Sequence, residues 1–397
     1  MQDIYNEYQN ILASPLPDFR RGFMDSIDWN ERLLFILGAR GVGKTTLILQ
    51  HIKEQFQLDP KALYVSMDDM AVAQYSIIEI AKMHSQKGGT HLYIDEIHKY
   101  ENWSKELKNI NDKIKDLHIV VSGSSALEVQ RGKADLSRRA VIYDMPGLSF
   151  REYLNIETRH SLEKIKLTDL LTNHTSIAHD IANKLKPLQY FQDYLEHGFY
   201  PFYLEGLSSY HHKLNNVTNL IIESDMPLIL NTDIHYAAKL RKLIYVLSTQ
   251  VPFQPNATKL AGSMELNRAT LNNYLHYLDS ASILKLMWHE GKSYSLLSRP
   301  DKIYMDNPNL LYMINKSQVN KGTLRETFFV NQVSQVHPIN LSKQGDFIIA
   351  NKHIIEVGGS KKSYSQIADL DNSYIVVDET VIGIGSKIPL WLFGFLY

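Results

Sequence analysis

Short, unbroken apolar runs alternate with amphipathic stretches between about residues 30 and 150. That alternation predicts a parallel α/β sheet covered by helices on both faces. The strand candidates are residues 33–37, 62–66, 92–95, 118–122 and 140–143. From 150 to about 247 turn signals are sparse and helical spacing dominates, so this stretch reads as a helical lid or connector. Residues 259–286 read as helix, turn, helix. Gly262 and Ser263 interrupt the pattern and Asn267 restarts it, with Leu271, Tyr274, Leu275 and Leu278 on one face. Beyond Pro300 short strands return at 302–305, 346–349, 353–357 and 373–377, the pattern of a separate small α/β domain. The apolar run 388–397 is too short to span a bilayer and reads as a buried last strand. The expected domains are 1–150, 151–247, 248–300 and 301–397.

The first strand runs straight into chemistry. Gly38-Ala39-Arg40-Gly41-Val42-Gly43-Lys44-Thr45 carries the full G-x-x-x-x-G-K-[ST] pattern, and Thr46 opens an amphipathic helix. Strand, glycine-rich turn and helix are the setting in which this pattern means phosphate binding. The glycines let backbone N–H groups turn inward on an anion, and the helix start adds its positive dipole end. Lys44 is expected to reach the β/γ-phosphates and the Thr45 hydroxyl to ligate Mg²⁺. About fifty residues on, His91-Leu92-Tyr93-Ile94-Asp95-Glu96 is an apolar strand ending in two carboxylates. Asp95 is placed to hold the Mg²⁺ shell, and Glu96 to polarise an attacking water, which makes hydrolysis the expectation rather than binding alone.

Composition narrows the setting. A chain of 397 residues with 44% hydrophobic content fits two to four folded domains. The absence of cysteine excludes disulfides and thiolate zinc sites and suits a reducing cytoplasm. The first residues lack the basic and apolar regions of a signal peptide, so a cytoplasmic protein without a membrane partner is expected. A net charge of −1 gives no global case for nucleic acid and leaves only a local basic face.

Other residues offer chemistry at longer range. Ser122-Gly123-Ser124-Ser125 ends the fourth strand candidate, where Ser122 and Ser124 can touch the γ-phosphate or water, or simply cap a helix starting near Ala126. Arg138 and Arg139 precede the fifth strand. Such an arginine can stabilise a transferring phosphoryl group in a neighbouring subunit, or form a surface ion pair. His98 and Lys99 follow the Asp95-Glu96 pair, and Trp103 reads as a core anchor. In the helix-turn-helix stretch Asn267, Arg268, Thr270 and Asn273 suit DNA contacts, although winged-helix modules also serve as protein-contact spacers. Glu326, Asp346 and Glu356 match the carboxylates of a metal-dependent nuclease. The lysine expected two residues after Glu356 is replaced by Gly358, and Lys361 and Lys362 are out of register. An inactive relic used for structure or binding is the favoured reading of that domain.

Taken in order, Gly38 to Thr45, Ile94-Asp95-Glu96-Ile97-His98, Val121-Ser122-Gly123-Ser124-Ser125, Leu148-Ser149-Phe150-Arg151-Glu152-Tyr153-Leu154, the winged-helix stretch and the apolar ending resemble prokaryotic AAA+-type ATPases with a C-terminal nuclease-like domain. Ile355-Glu356-Val357-Gly358-Gly359 and the ending resemble the branch found in Bacteroides-type bacteria. The resemblance implies an ASCE-type sheet, with a polar-tipped strand between the phosphate-loop strand and the Asp95 strand. It implies a helical lid, a winged helix and a degenerate restriction-endonuclease-like α/β domain after the core. It also implies ATP with Mg²⁺ rather than GTP, since no N-K-x-D signature is present. In the family pattern the arginine before the fifth strand corresponds to Arg139, which brings in a homo-oligomer. The lid arginine of many AAA+ proteins has no counterpart in 194–202. Three function classes follow: an ATP-hydrolysing switch acting on a protein or nucleic-acid partner, a nucleotide-regulated DNA-binding protein, and an ATP-dependent nuclease.

Overall fold

The computed structural model describes residues 2–125, 136, 138–227, 237–249, 257–291, 299–315, 319–362, 367 and 370–397. The chain divides into two units. The first comprises Met1–Pro146 with Leu220–Ile234, and the second Gly147–Asn219 with His235–Tyr397. The helix expected to begin near Ala126, and with it Asp135 and Ser137, lies outside the described residues.

In the first unit five strands form one sheet: β1 (Leu33–Gly38), β2 (Ala62–Ser66), β3 (His91–Asp95), β4 (His118–Ser124) and β5 (Val141–Asp144). Their order is β2-β3-β4-β1-β5, and every pair is parallel. All six residues of β1 are buried, which is why its sequence is continuously apolar rather than alternating. Helix α1 (Gln2–Ala13) buries Ile4, Tyr8 and Leu12 at four-residue spacing and packs on β2. Helices α2 (Lys44–Gln55), α3 (Ile77–Gln86) and α4 (Trp103–Lys113) follow β1, β2 and β3. A capping box fixes where α3 starts: Ser76 accepts from the Glu79 backbone and Glu79 reaches back to Ser76. Because all strands point one way, Gly38, Ser66, Asp95 and Ser124 end at the same edge of the sheet. Gly38 is in register with Ser124, and Ser66 with Asp95.

The second unit is built around aromatic packing. Helix Phe150–Thr158 starts from a buried Ser149/Glu152 capping box. Its Phe150 ring lies 5.1 Å from Phe191 and 5.4 Å from Tyr194, and Phe191 lies 4.8 Å from Phe328. Helices Phe150–Thr158, Pro187–His197 and Lys321–Ser334 therefore share one core. Within it Gln332 donates to Tyr194 Oη and accepts from the Phe150 N–H, so the buried amide keeps its partners. Helices Ala257–Ser263 and Arg268–Ser280 precede an antiparallel pair, β6 (Leu284–Met287) and β7 (Lys302–Met305). A mixed sheet of order β12-β11-β10-β9-β8 completes the unit: β8 (Ile339–Leu341), β9 (Phe347–Ile349), β10 (His353–Gly358), β11 (Ser373–Val377) and β12 (Lys387–Pro389).

The apolar ending departs from the expected strand. Only Lys387–Pro389 pairs in the sheet, and Leu390–Phe395 forms a 3₁₀-helix with all six residues buried. Pro389 has no N–H to extend the ladder. Gly394 sits against Phe150, where a Cβ would come within 2.5 Å of the Phe150 Cβ. The run is apolar because it is buried on every side, which periodicity cannot distinguish from a buried strand. No helix among the described residues is long and apolar enough to cross a membrane.

Candidate functional site

The loop between β1 and α2 owes its shape to glycine. Gly41 and Gly43 have φ of 86° and 97°, values that side-chain-bearing residues rarely adopt. Gly38 allows a different closeness, since a Cβ there would lie 2.5 Å from the Met145 carbonyl oxygen. A buried arginine braces the loop from outside: Arg21 donates from Nη1 to the Val42 carbonyl and from Nη2 to that of Pro146, each at 3.1 Å. Lys44 is buried and donates to the Gly38 and Ala39 carbonyls at 2.8 and 3.0 Å, so its ammonium rests inside the loop. Burial pushes its pKa down, against the opposing pull of Glu96 and Asp95. Thr45 and Thr46, half-buried, form the first turn of α2.

Asp95 gathers donors from four places. Thr45 Oγ1 donates to its Oδ2 at 2.6 Å and Tyr64 Oη at 2.8 Å, while Ser122 Oγ and the Glu96 N–H, the latter at 3.1 Å, donate to Oδ1. The carboxylate is 2% exposed. Such convergence holds an acidic group in one orientation. A hydroxyl and a carboxylate oxygen this close are a hard-oxygen pair suited to Mg²⁺, so the residues present fit that ion. Tyr64 is raised well above a phenol's ordinary pKa, first by burial and then by Asp95. Ser124, also buried, stands at the end of β4 opposite Gly38.

Glu96 occupies a backbone conformation unusual for its type, with φ 54° and ψ 40°. A non-glycine residue there carries on the order of 1–3 kcal/mol of strain, a feature that clusters at functional sites. Its N–H is shared between Asp95 and Ser122 Oγ, the latter at 3.2 Å, which anchors the turn. Among the described residues its Oε2 has no hydrogen-bond donor; it lies 3.2 Å from His98 Nε2 and 3.9 Å from Arg40 Nη1.

A residue from far along the chain completes this cluster. Helix Tyr210–Leu220 runs into a π-helix, Ile221–Asp225, whose last residue is 1% exposed. Arg40 Nη1 donates to both Asp225 oxygens at 3.1 and 3.2 Å, across 185 residues of sequence. His98 Nε2 lies 3.5 Å from the same carboxylate and Lys99 Nζ 3.8 Å from it. Burial works to raise the Asp225 pKa, and His98, Arg40 and Lys99 together hold it below the ordinary value.

Other residues singled out in the sequence lie elsewhere. Arg139 forms a two-point ion pair with Asp112, at 2.8 and 3.2 Å, and its side chain is one-third exposed, while Arg138 is exposed. Trp103 packs edge-on against Phe35 in the core. Asn267 caps its helix by accepting from the Thr270 N–H at 2.8 Å, whereas Arg268 and Asn273 are exposed. In the second unit Glu326 accepts from Tyr304 Oη at 2.6 Å, and Asp346 from the Val357 N–H at 2.8 Å. Glu356 pairs with Lys362 Nζ at 2.6 Å. Lys362 is out of register in sequence but not in space. A Cβ on Gly358 would lie 2.7 Å from the Lys362 Cγ, so this side chain covers the position of the missing lysine's stem. Asp346 has its pKa pushed up to about 6, chiefly by burial and then by Glu326 and Glu356. Among the described residues no group of three or more His, Asp or Glu is arranged to hold a metal ion.

Arg21, Tyr64 and Asp225 were not anticipated. Tyr64 had a usable signal, since it sits near the end of the strand beside β3. Arg21 and Asp225 had none.

Comparison with known proteins bears on the same region. Residues 30–154 match the family model of the AAA domain, and residues 188–319 that of a domain of unknown function, DUF8612. The chain is similar to the uncharacterized protein MJ1637 of Methanocaldococcus jannaschii, with 28% identity over 370 residues covering 85% of this chain and 77% of that protein. Among solved structures it is similar to the Aeropyrum pernix ORC1 protein in complex with DNA, at 12% identity and TM-score 0.32, covering 80% of this chain and 92% of that one. It is also similar to a Signal Transduction ATPase with Numerous Domains protein, PH0952 from Pyrococcus horikoshii. There the identity is 14% and the TM-score 0.30, covering 82% of this chain and 47% of that one. The AAA-domain match spans the glycine loop, Asp95 and β4. With the parallel sheet and the loop geometry, it makes the first unit a nucleotide-binding P-loop domain of the AAA type.

Proposed function

We propose that the protein is a Mg²⁺-dependent ATPase that acts as a nucleotide-driven switch on a protein or nucleic-acid partner. The observation that carries this reading is the convergence of Thr45, Tyr64, Ser122 and the Glu96 N–H on Asp95 beside the glycine loop. In this reading the phosphates lie along the backbone of Gly38, Ala39, Arg40, Gly41, Val42 and Gly43, ending at Lys44, Thr45 and Thr46. Lys44 exchanges the Gly38 and Ala39 carbonyls for β/γ-phosphate oxygens. Thr45 and Asp95 would hold Mg²⁺, which would supply charge neutralisation to the phosphates. Glu96 accepts a proton from the attacking water as the bond between the γ-phosphorus and the bridging oxygen breaks, leaving ADP and phosphate. Ser122 keeps Asp95 oriented, and Ser124 faces the γ-phosphate end of the site. Arg139, partly exposed at the surface, acts on nucleotide held by a second copy of the chain.

The switch delivers its output through the second unit. Helices Ala257–Ser263 and Arg268–Ser280 with the β6–β7 pair support a winged-helix module, on which exposed Arg268 and Asn273 suit phosphate or base contacts. The remaining mixed sheet is read as a restriction-endonuclease-like domain that binds rather than cuts. Purified protein given ATP should release phosphate, and chelating Mg²⁺ should stop it. Absence of release with ATP or GTP, with DNA present or not, would remove the ATPase reading.

A second reading, an ATP-dependent nuclease, is favoured by one observation: Lys362 brings an ammonium to Glu356 in place of the residue lost at Gly358. Incubation with single-stranded, double-stranded and branched DNA in Mg²⁺ or Mn²⁺ separates the two. We expect no cleavage; cleavage abolished by Asp346→Ala would establish the nuclease instead.

A further inference from the structure

The Arg40–Asp225 pair joins the phosphate loop to a segment that the reaction scheme above leaves unused. Arg40 is the third residue of the glycine loop, and its side chain remains 20% exposed. A guanidinium fork fits a carboxylate and a phosphate in the same way, so both compete for the same N–H groups. Asp225 also adds negative charge beside the loop where polyphosphate must settle, and like charges at that range repel. The pair is thus strongest when the loop holds no phosphate.

Asp225 has little to fall back on. A carboxylate 1% exposed is costly to leave without its partner. Once Arg40 turns away, the nearest remaining side-chain nitrogens are His98 Nε2 at 3.5 Å and Lys99 Nζ at 3.8 Å. The Lys99 hold on the neighbouring Ser224 is long, at 3.4 Å. The backbone there is a single π-helical turn, a form found mostly as bulges inside α-helices and frequently at functional sites. The described part of this segment belongs to the first unit, whereas Asn219 just before it in sequence belongs to the second.

We propose that Arg40 and Asp225 form a nucleotide-sensing latch: phosphate arriving in the loop takes Arg40, and Asp225 releases its segment from the site. The inference rests on the nucleotide-binding reading of the loop and adds how occupancy is reported. His98 ties the latch to hydrolysis, because its Nε2 lies between Asp225 and the Glu96 oxygen that lacks a donor. Loss of Asp225 from that cluster leaves Glu96 and His98 to rearrange together.

The test uses wild-type protein first. Hydrogen exchange of peptides covering residues 221–227 is compared with and without Mg²⁺ and a non-hydrolysable ATP analogue. The latch predicts faster exchange on binding; unchanged or slower exchange overturns it. Calorimetry then measures affinity for the same analogue. Asp225→Asn should tighten it by about tenfold, a coupling in the usual range, and the gain should vanish in an Arg40→Gln background. Equal affinity in Asp225→Asn, or the same gain without Arg40, overturns the latch while leaving nucleotide binding intact. Wild-type protein that binds no analogue overturns the parent reading and the latch with it.

Discussion

At the ends of β3 and β4 one carboxylate collects donors from four elements, whereas in the second unit three carboxylates each keep a donor of their own. Asp95 accepts from Thr45, Tyr64, Ser122 and the Glu96 N–H. Glu326 takes Tyr304, Asp346 takes the Val357 N–H, and Glu356 takes Lys362. The first arrangement concentrates hydroxyl donors on a single acid, and hydroxyls can turn from donor to metal ligand. The second gives its three acids a phenol, an ammonium and a backbone amide separately, and the last two cannot ligate a cation. Similar residue types thus support different chemistry according to which partners the fold supplies.

The largest effect expected is at the loop. Lys44→Ala removes the only ammonium of the glycine loop, and Mg·ATP affinity should fall by at least about a hundredfold, consistent with loss of a buried charge-assisted contact. Affinity within a few-fold of wild type by calorimetry would remove Lys44 from its assigned role at the phosphates. Smaller is the effect of Tyr64→Phe, which deletes one of the four donors to Asp95. Unfolding free energy should drop by about 1–3 kcal/mol, the usual cost of leaving a buried charged acceptor short of a donor. An unchanged denaturation midpoint would mean the other three donors suffice.

Acid sharpens the contrast further. His51 and His91 in the first unit have pKa values lowered to about 4, chiefly by burial. The unfolded chain binds more protons than the folded one between roughly pH 6.5 and 4, so these groups withdraw stability as pH falls through that window, at most about 3 kcal/mol for His51. Asp306 and Asp346 in the second unit are raised to about 6, again chiefly by burial. Their folded forms bind more protons between roughly pH 4 and 6, so acidification relieves a penalty there. Pulse-labelling hydrogen exchange after equilibration from pH 7 to 4.5 should therefore find amides of β1 to β5 losing protection before those of β9 to β11. The reverse order would contradict this assignment.

What the sequence made legible follows the same divide. The glycine loop and the Asp95-Glu96 strand end are contiguous, and each carries its structural context beside it. The buried parallel strands announce themselves as unbroken apolar runs, as in β1. Contacts made through tertiary folding leave no such trace. Nothing near Asp225 indicates that Arg40, 185 residues earlier, is its partner. Lys362 folds back over Gly358 because the chain turns there, which the spacing from Glu356 does not show. The terminal apolar run reads as a strand in sequence, because length and hydrophobicity do not reveal a 3₁₀ turn that Gly394 allows against Phe150.

The central claim is that Glu96 turns a nucleotide-binding site into a hydrolytic one. Its most direct test is Glu96→Gln, assayed for Mg·ATP affinity by calorimetry and for phosphate release under saturating ATP. The phosphate contacts remain in this variant while the proton acceptor is lost. Affinity should stay within a few-fold of wild type, and turnover should fall by about 10²- to 10⁴-fold, the range associated with a general base. Wild-type turnover with intact binding would contradict the account.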